Sequence, residues 1–78
     1  MLTPEKVQGF KNLGVNAEMF KAFLENFYNS WGLEARETIQ PISVKFVKER
    51  PGYSYLRFDY KMYGRNEWLH VTGPSTWY

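Results

Sequence analysis

The chain has 78 residues, no cysteine and a formal net charge of +2, which together exclude a disulfide scaffold, a thiolate metal site and a strongly charged tail. With 44% hydrophobic and 19% aromatic residues it reads as one small globular domain over residues 1–78 rather than a disordered segment. Its apolar runs are too short for a membrane span, "MLTPEKVQGF" has no signal-type apolar region, and the lack of cysteine fits a reducing, cytoplasmic setting with no membrane partner.

A chain of this size buries about 60 to 65% of its unfolded surface, so large rings must supply much of the core. Three Trp, six Tyr and six Phe make that feasible. Charge is unevenly spread: three Lys stand against four Glu up to residue 35, and seven cations against four carboxylates after it. That excess is modest, so it admits an anionic partner without demanding one.

The first half predicts two helices. Thr3, Pro4 and Glu5 supply an N-cap, an N1 proline and a first-turn acid, and Val7, Phe10 and Leu13 recur every third residue before Gly14 offers a stop. Gly9 weakens the middle of this first helix by about 1 kcal/mol relative to alanine. Asn16 can cap the second, where Met19, Phe20, Phe23, Leu24, Phe27, Tyr28 and Trp31 form one stripe that ends at Gly32. Such a stripe could line a groove, but covering a sheet is the simpler use of it. "GLEARETIQP" then reads as a linker.

After it the period changes from 3.6 to 2. Ile42, Val44 and Phe46 alternate with Ser43, Lys45 and Val47 in a first strand, with Pro41 at its start, and "ERPGY" gives a loop through Pro51 and Gly52. In the second strand Leu56, Phe58, Tyr60 and Met62 share one face, and Tyr53, Tyr55, Arg57, Asp59, Lys61 and Tyr63 the other. The third sets Leu69 and Val71 against Trp68 and His70. The fold class expected is α+β, two N-terminal helices packed on one face of a three-stranded antiparallel meander.

Register follows from turn chemistry. A two-residue loop at Gly64 and Arg65 pairs Tyr63 with Asn66, and therefore Tyr60 with Leu69, Phe58 with Val71, Lys61 with Trp68, Asp59 with His70 and Arg57 with Thr72. Between the first two strands, Lys48 opposite Ser54 pairs Phe46 with Leu56, Val44 with Phe58 and Lys45 with Arg57. The last pair is like-charged, with Asp59 the local carboxylate able to relieve it.

With helices on the apolar side, the opposite side exposes Lys45, Tyr55, Arg57, Lys61, Tyr63, Trp68 and His70, the candidate partner-binding residues. Lys61 is expected over the Trp68 ring. Covering by the tail "TGPSTWY", a homodimer through this face, or plain cross-strand pairing are the simpler uses of the same residues. No catalytic, metal or cofactor site is expected: His70 is the one histidine, Asp59 beside it reads as an ion pair, and neither a G-x-S-x-G turn nor a phosphate-cradling glycine loop occurs. The pattern favours a non-enzymatic module of inhibitor or adaptor type that binds a protein partner, since Tyr, Trp and Arg dominate interface energetics. The alternative is a single-stranded nucleic-acid binder that stacks bases on the rings and meets phosphates with Lys45, Arg57 and Lys61.

Overall fold

In the computed structural model, which describes residues 3–78, the segment expected as a first helix breaks into three short 3-10 turns, Pro4–Lys6, Phe10–Asn12 and Gly14–Asn16. Gly9 at φ 91° and Gly14 at φ 57° are both left-handed, a conformation that no α-helix contains. Thr3 makes no side-chain cap. The backbone here serves the sheet instead: the Val44 N–H donates to the Gln8 carbonyl at 2.9 Å, and Gln8 forms a one-residue parallel bridge with Ser43. Gly9 then passes so close to the Val44 carbonyl that a β-carbon has no room. Val7 and Leu13 are buried as their spacing demands.

Helix α1, Ala17–Asn29, carries the expected stripe, with Phe20, Phe23, Leu24 and Phe27 buried and Met19, Tyr28 and Trp31 packed at its margins. Asn16 precedes it without a side-chain cap. The segment read as a linker holds a second, short helix, α2, Leu33–Thr38, built from good helix formers in "LEARET". Its Arg36 reaches back to α1. Nε donates to the carbonyls of Tyr28 at 3.0 Å and Trp31 at 2.8 Å, Nη2 to that of Asn29 at 3.3 Å, and the guanidinium lies 5.4 Å from the Tyr28 ring centre.

Those carbonyls lie in the last turn of α1 and just past it, where i+4 donors run out and the helix dipole favours a cation; the Tyr28 carbonyl also accepts from the Trp31 N–H at 3.3 Å. A single ammonium cannot reproduce the guanidinium fork. Arg36→Lys is therefore expected to cost about 1 to 2 kcal/mol, read from the denaturant midpoint; an unchanged midpoint would show that water serves these carbonyls equally well.

The sheet has four antiparallel strands rather than the three expected, in the order β1 (Gln40–Arg50), β2 (Tyr53–Met62), β3 (Arg65–Gly73) and β4 (Thr76–Trp77). Between β1 and β2 the register is the expected one, with Lys48 opposite Ser54, Phe46 opposite Leu56, Lys45 opposite Arg57 and Val44 opposite Phe58. Pro41 is tolerated because β1 is an edge strand and its register shifts between Pro41 and Ser43.

Between β2 and β3 the pairing differs from expectation by two residues. Met62 faces Arg65, so the loop is Tyr63 and Gly64, with φ 53° and 76°. Two positive φ values in a two-residue hairpin define a type I′ turn, whose twist matches the strands. Tyr60 consequently faces Glu67 and Phe58 faces Leu69, while Lys61 faces Asn66, Asp59 faces Trp68 and Arg57 faces His70. A shift of two keeps every side chain on its expected face.

The core lies between α1 and the inner face of the sheet. Phe58 is fully buried against Phe20, Phe23 and Phe27 of the helix, at centroid distances of 5.7, 5.4 and 5.9 Å, and stacks on Tyr60 at 5.2 Å. Such aromatic pairs add about 0.5 to 1.5 kcal/mol each beyond the area they bury. The fourth strand exists because Trp77 turns inward to meet Phe23 at 5.4 Å and Phe27 at 5.8 Å. Asn26 of α1 ties down the preceding turn, its Nδ2 donating to the Pro74 carbonyl at 2.9 Å. Among the described residues no helix is long and apolar enough to cross a membrane.

Candidate functional site

The outer face of the sheet carries no helix, and alternation along β2 and β3 sends Tyr53, Tyr55, Arg57, Trp68 and His70 onto it. Backbone pairing of Tyr78 with His70, at 2.9 and 3.0 Å, then delivers one more ring. The rings form a continuous row. Tyr53 meets Tyr55 edge-on at 6.4 Å, Tyr55 meets His70 at 4.4 Å, His70 meets Trp68 at 4.7 Å, and Tyr78 stacks nearly parallel on His70 at 4.7 Å.

Both ends of the row are closed by guanidinium groups. Arg50 lies 5.0 Å from the Tyr53 centroid and Arg57 4.3 Å from that of Trp68. Arg57 is held there by Asp59, which accepts from Nε at 3.2 Å and from Nη2 at 3.3 Å. Asp59 thus relieves the Lys45–Arg57 pair, as expected, by binding Arg57. Two expected contacts are replaced through the two-residue change of register: Arg57, not Lys61, covers Trp68, and Asp59 stands opposite Trp68, not His70.

The candidate residues thus divide. Tyr55, Arg57, Trp68 and His70 come together, and Lys45 stands across from Arg57 on the same face. Lys61 lies opposite Asn66 and away from the Trp68 ring, while Tyr63 sits in the hairpin turn and touches no ring of the row. Tyr55 is central but only 9% exposed, whereas Trp68 is 44% exposed. Trp68, like Tyr53 and Tyr78, is an exposed ring of the row, and Tyr55 is a buried one. Tyr53, which alternation places on this face, and Tyr78 of the tail extend the row beyond the candidate residues; Arg50 and Glu49, which contact Tyr53 and Tyr55, carry no signal in the sequence pattern.

Beside the row, Ser43, Lys45, Arg57, Asp59, Asn66 and Glu67, with Ile42, line an open depression of about 420 Å³. Two cations and two carboxylates ring it. Asp59 already compensates Arg57, so among the described residues Lys45 is the cation here with no salt bridge. No three of His, Cys, Asp and Glu converge as metal ligands among the described residues.

Burial, then the bond its hydroxyl donates to Glu49 Oε1 at 3.0 Å, pushes the Tyr55 phenol above its ordinary value of 10.0. Tyr78 is pushed the same way, first by its hydrogen bond to Tyr53 and then by burial. A phenol that holds its proton more tightly when folded contributes stability that is complete below the unfolded value near 10 and is lost as pH rises through the folded one. Stability should therefore fall on going to strongly alkaline pH, and Tyr55→Phe should remove part of that fall. Denaturant midpoints for the two proteins below and above pH 10 check this; parallel pH profiles would contradict it.

Comparison of the chain with protein-family models, with curated proteins and with solved structures finds no match, so the face itself has to carry the functional argument.

Proposed function

We propose that the chain is a non-enzymatic protein-interaction module, of inhibitor or adaptor type, that binds a protein partner through the outer face of its sheet. The observation that carries this reading is the Arg57–Trp68 pair: a half-exposed indole with a guanidinium held 4.3 Å from its centroid by a two-point bond to Asp59. Trp, Tyr and Arg are the residues that dominate binding energy at interfaces, and an anchor fixed before binding loses little rotamer entropy on association. The Tyr55–His70–Tyr78 stack stiffens the surface around it.

Binding of single-stranded nucleic acid is the weaker reading. The cation nearest the exposed ring is committed to Asp59, and Lys61 lies opposite Asn66. A strand tracking this face would meet the Asp59 carboxylate beside its stacking platform. Titration with mixed-sequence single-stranded DNA and RNA at two salt concentrations separates the two readings, with tryptophan emission compared between the protein and Trp68→Phe. The expected result is no salt-dependent quenching assignable to Trp68. Affinity that falls with a logarithmic salt slope near 0.7 per phosphate, and that weakens when Lys45 or Arg57 is neutralised, would overturn the proposal.

A further inference from the structure

Strand β1 leaves one side of its backbone open. Val44 turns its N–H toward Gln8 and its carbonyl toward Gly9, both on the side away from β2. Because a strand's groups alternate in direction, Phe46 and Lys48 point their N–H and carbonyl groups the same way. Past Gln8, no backbone partner meets either residue there among the described residues. The edge is also unusually dressed. Phe46 is 48% exposed, and Lys45 and Lys48 are exposed and form no salt bridge.

From this geometry we infer that β1 is a strand-addition site: an extended, acidic segment of a partner protein pairs with the backbone at Phe46 and Lys48, continuing the sheet beyond the Gln8 bridge. Main-chain bonds supply the affinity in such additions, and side chains on the two faces supply the selectivity. Here an apolar side chain of the incoming segment covers Phe46 on the helix side, and its carboxylates meet Lys48 on that side or Lys45 on the other. Charge decides against a second copy of this chain as the occupant. Glu49 is the one carboxylate of β1 and already accepts from Tyr55, so pairing two β1 edges would bring Lys45, Lys48 and Arg50 together with nothing free to offset them. The edge lysines that discourage self-association are the groups an acidic strand requires.

The edge shares Lys45 with the outer face but involves neither Trp68 nor the rings beside it, so either site can fail without the other. The probe is a short peptide alternating valine and glutamate, with a valine–lysine peptide of equal length as control. Amide hydrogen exchange and NMR shifts of the unaltered chain are read during titration. The acidic peptide should slow exchange at Phe46 and Lys48 and leave the Trp68 indole unmoved, and the basic peptide should do neither. Replacing Lys45 and Lys48 together by glutamate should weaken the acidic peptide by about tenfold or more and admit the basic one. Lys48→Pro, which removes an edge N–H that an edge strand can spare, should abolish protection at Phe46. Equal response to both peptides, shifts confined to the aromatic face, no protection with millimolar peptide, or protection already present in a dimer without peptide would each overturn the inference.

Discussion

Phe58→Ala is expected to cost about 3 to 5 kcal/mol, a large share of the stability of so small a domain. The ring is fully buried and touches three helix phenylalanines and Tyr60, so it is the point where α1 and the sheet are joined. Truncation removes its transfer free energy and leaves a cavity walled by rigid rings that cannot collapse into it. Because Trp77 shares Phe23 and Phe27 with Phe58, loosening them should also free β4, and with it the Tyr78 ring that stacks on His70. Chemical unfolding gives the stability loss, and the NMR line widths of Tyr78 report the release. A loss below about 1 kcal/mol would mean that the two layers are joined elsewhere.

The second large effect is expected at Gly9. Replacement by alanine meets two obstacles: a left-handed backbone at φ 91°, and the Val44 carbonyl in the space a β-carbon needs. The first alone costs about 1 to 2 kcal/mol. The second cannot be relieved by a rotamer, because its atoms are backbone. Gly9→Ala should therefore lose about 2 to 4 kcal/mol and release the Gln8 bridge, raising amide exchange at Val44. Gly52 provides the control, since it has φ 78° and open space around its α-carbon. If Gly52→Ala is as damaging as Gly9→Ala, conformation alone explains both and the close approach to β1 has no energetic role.

The same glycine shows why part of the fold was not legible in the sequence. Val7, Phe10 and Leu13 have helical spacing and do face the core, but spacing is shared by any chain that turns inward every third residue, including a run of 3-10 turns. Gly9 looked like a tolerated flaw in a helix; only its contact with Val44 shows that it ends one. "LEARET" is hidden for the opposite reason, since six residues are too few for a periodic signal although Leu33, Glu34, Ala35, Arg36 and Glu37 all favour a helix.

The strands were more legible because burial on one face punishes a slip of one residue. That constraint fixed the pairing of β1 with β2 through Val44, Phe46, Leu56 and Phe58. It could not detect the slip of two between β2 and β3, which preserves both faces and rests on Tyr63 adopting φ 53°, a conformation more typical of glycine or asparagine. Alternation therefore places Arg57, Trp68, His70 and Tyr55 on one face, as the structure does, but which cation covers the Trp68 ring and which residue stands opposite Asp59 follow only from the true register. Covering of the face by the tail is among the expected uses of it, and Tyr78 does stack there on His70, but a two-residue strand has no pattern to choose Tyr78 over Trp77, which is drawn into the core.

The protein-binding proposal is tested most directly by photo-crosslinking in extracts of the source cells, with a photoreactive residue at position 61 on the outer face and, as control, at exposed Leu33 of α2. The expected result is a protein adduct formed from position 61 and not from position 33, resistant to nuclease, and lost when Trp68→Ala or Arg57→Ala is added to a chain whose unfolding midpoint is unchanged. An adduct that is nuclease-sensitive, that contains a second copy of the chain, that forms equally from both positions or that survives both substitutions would contradict it, as would no adduct from position 61.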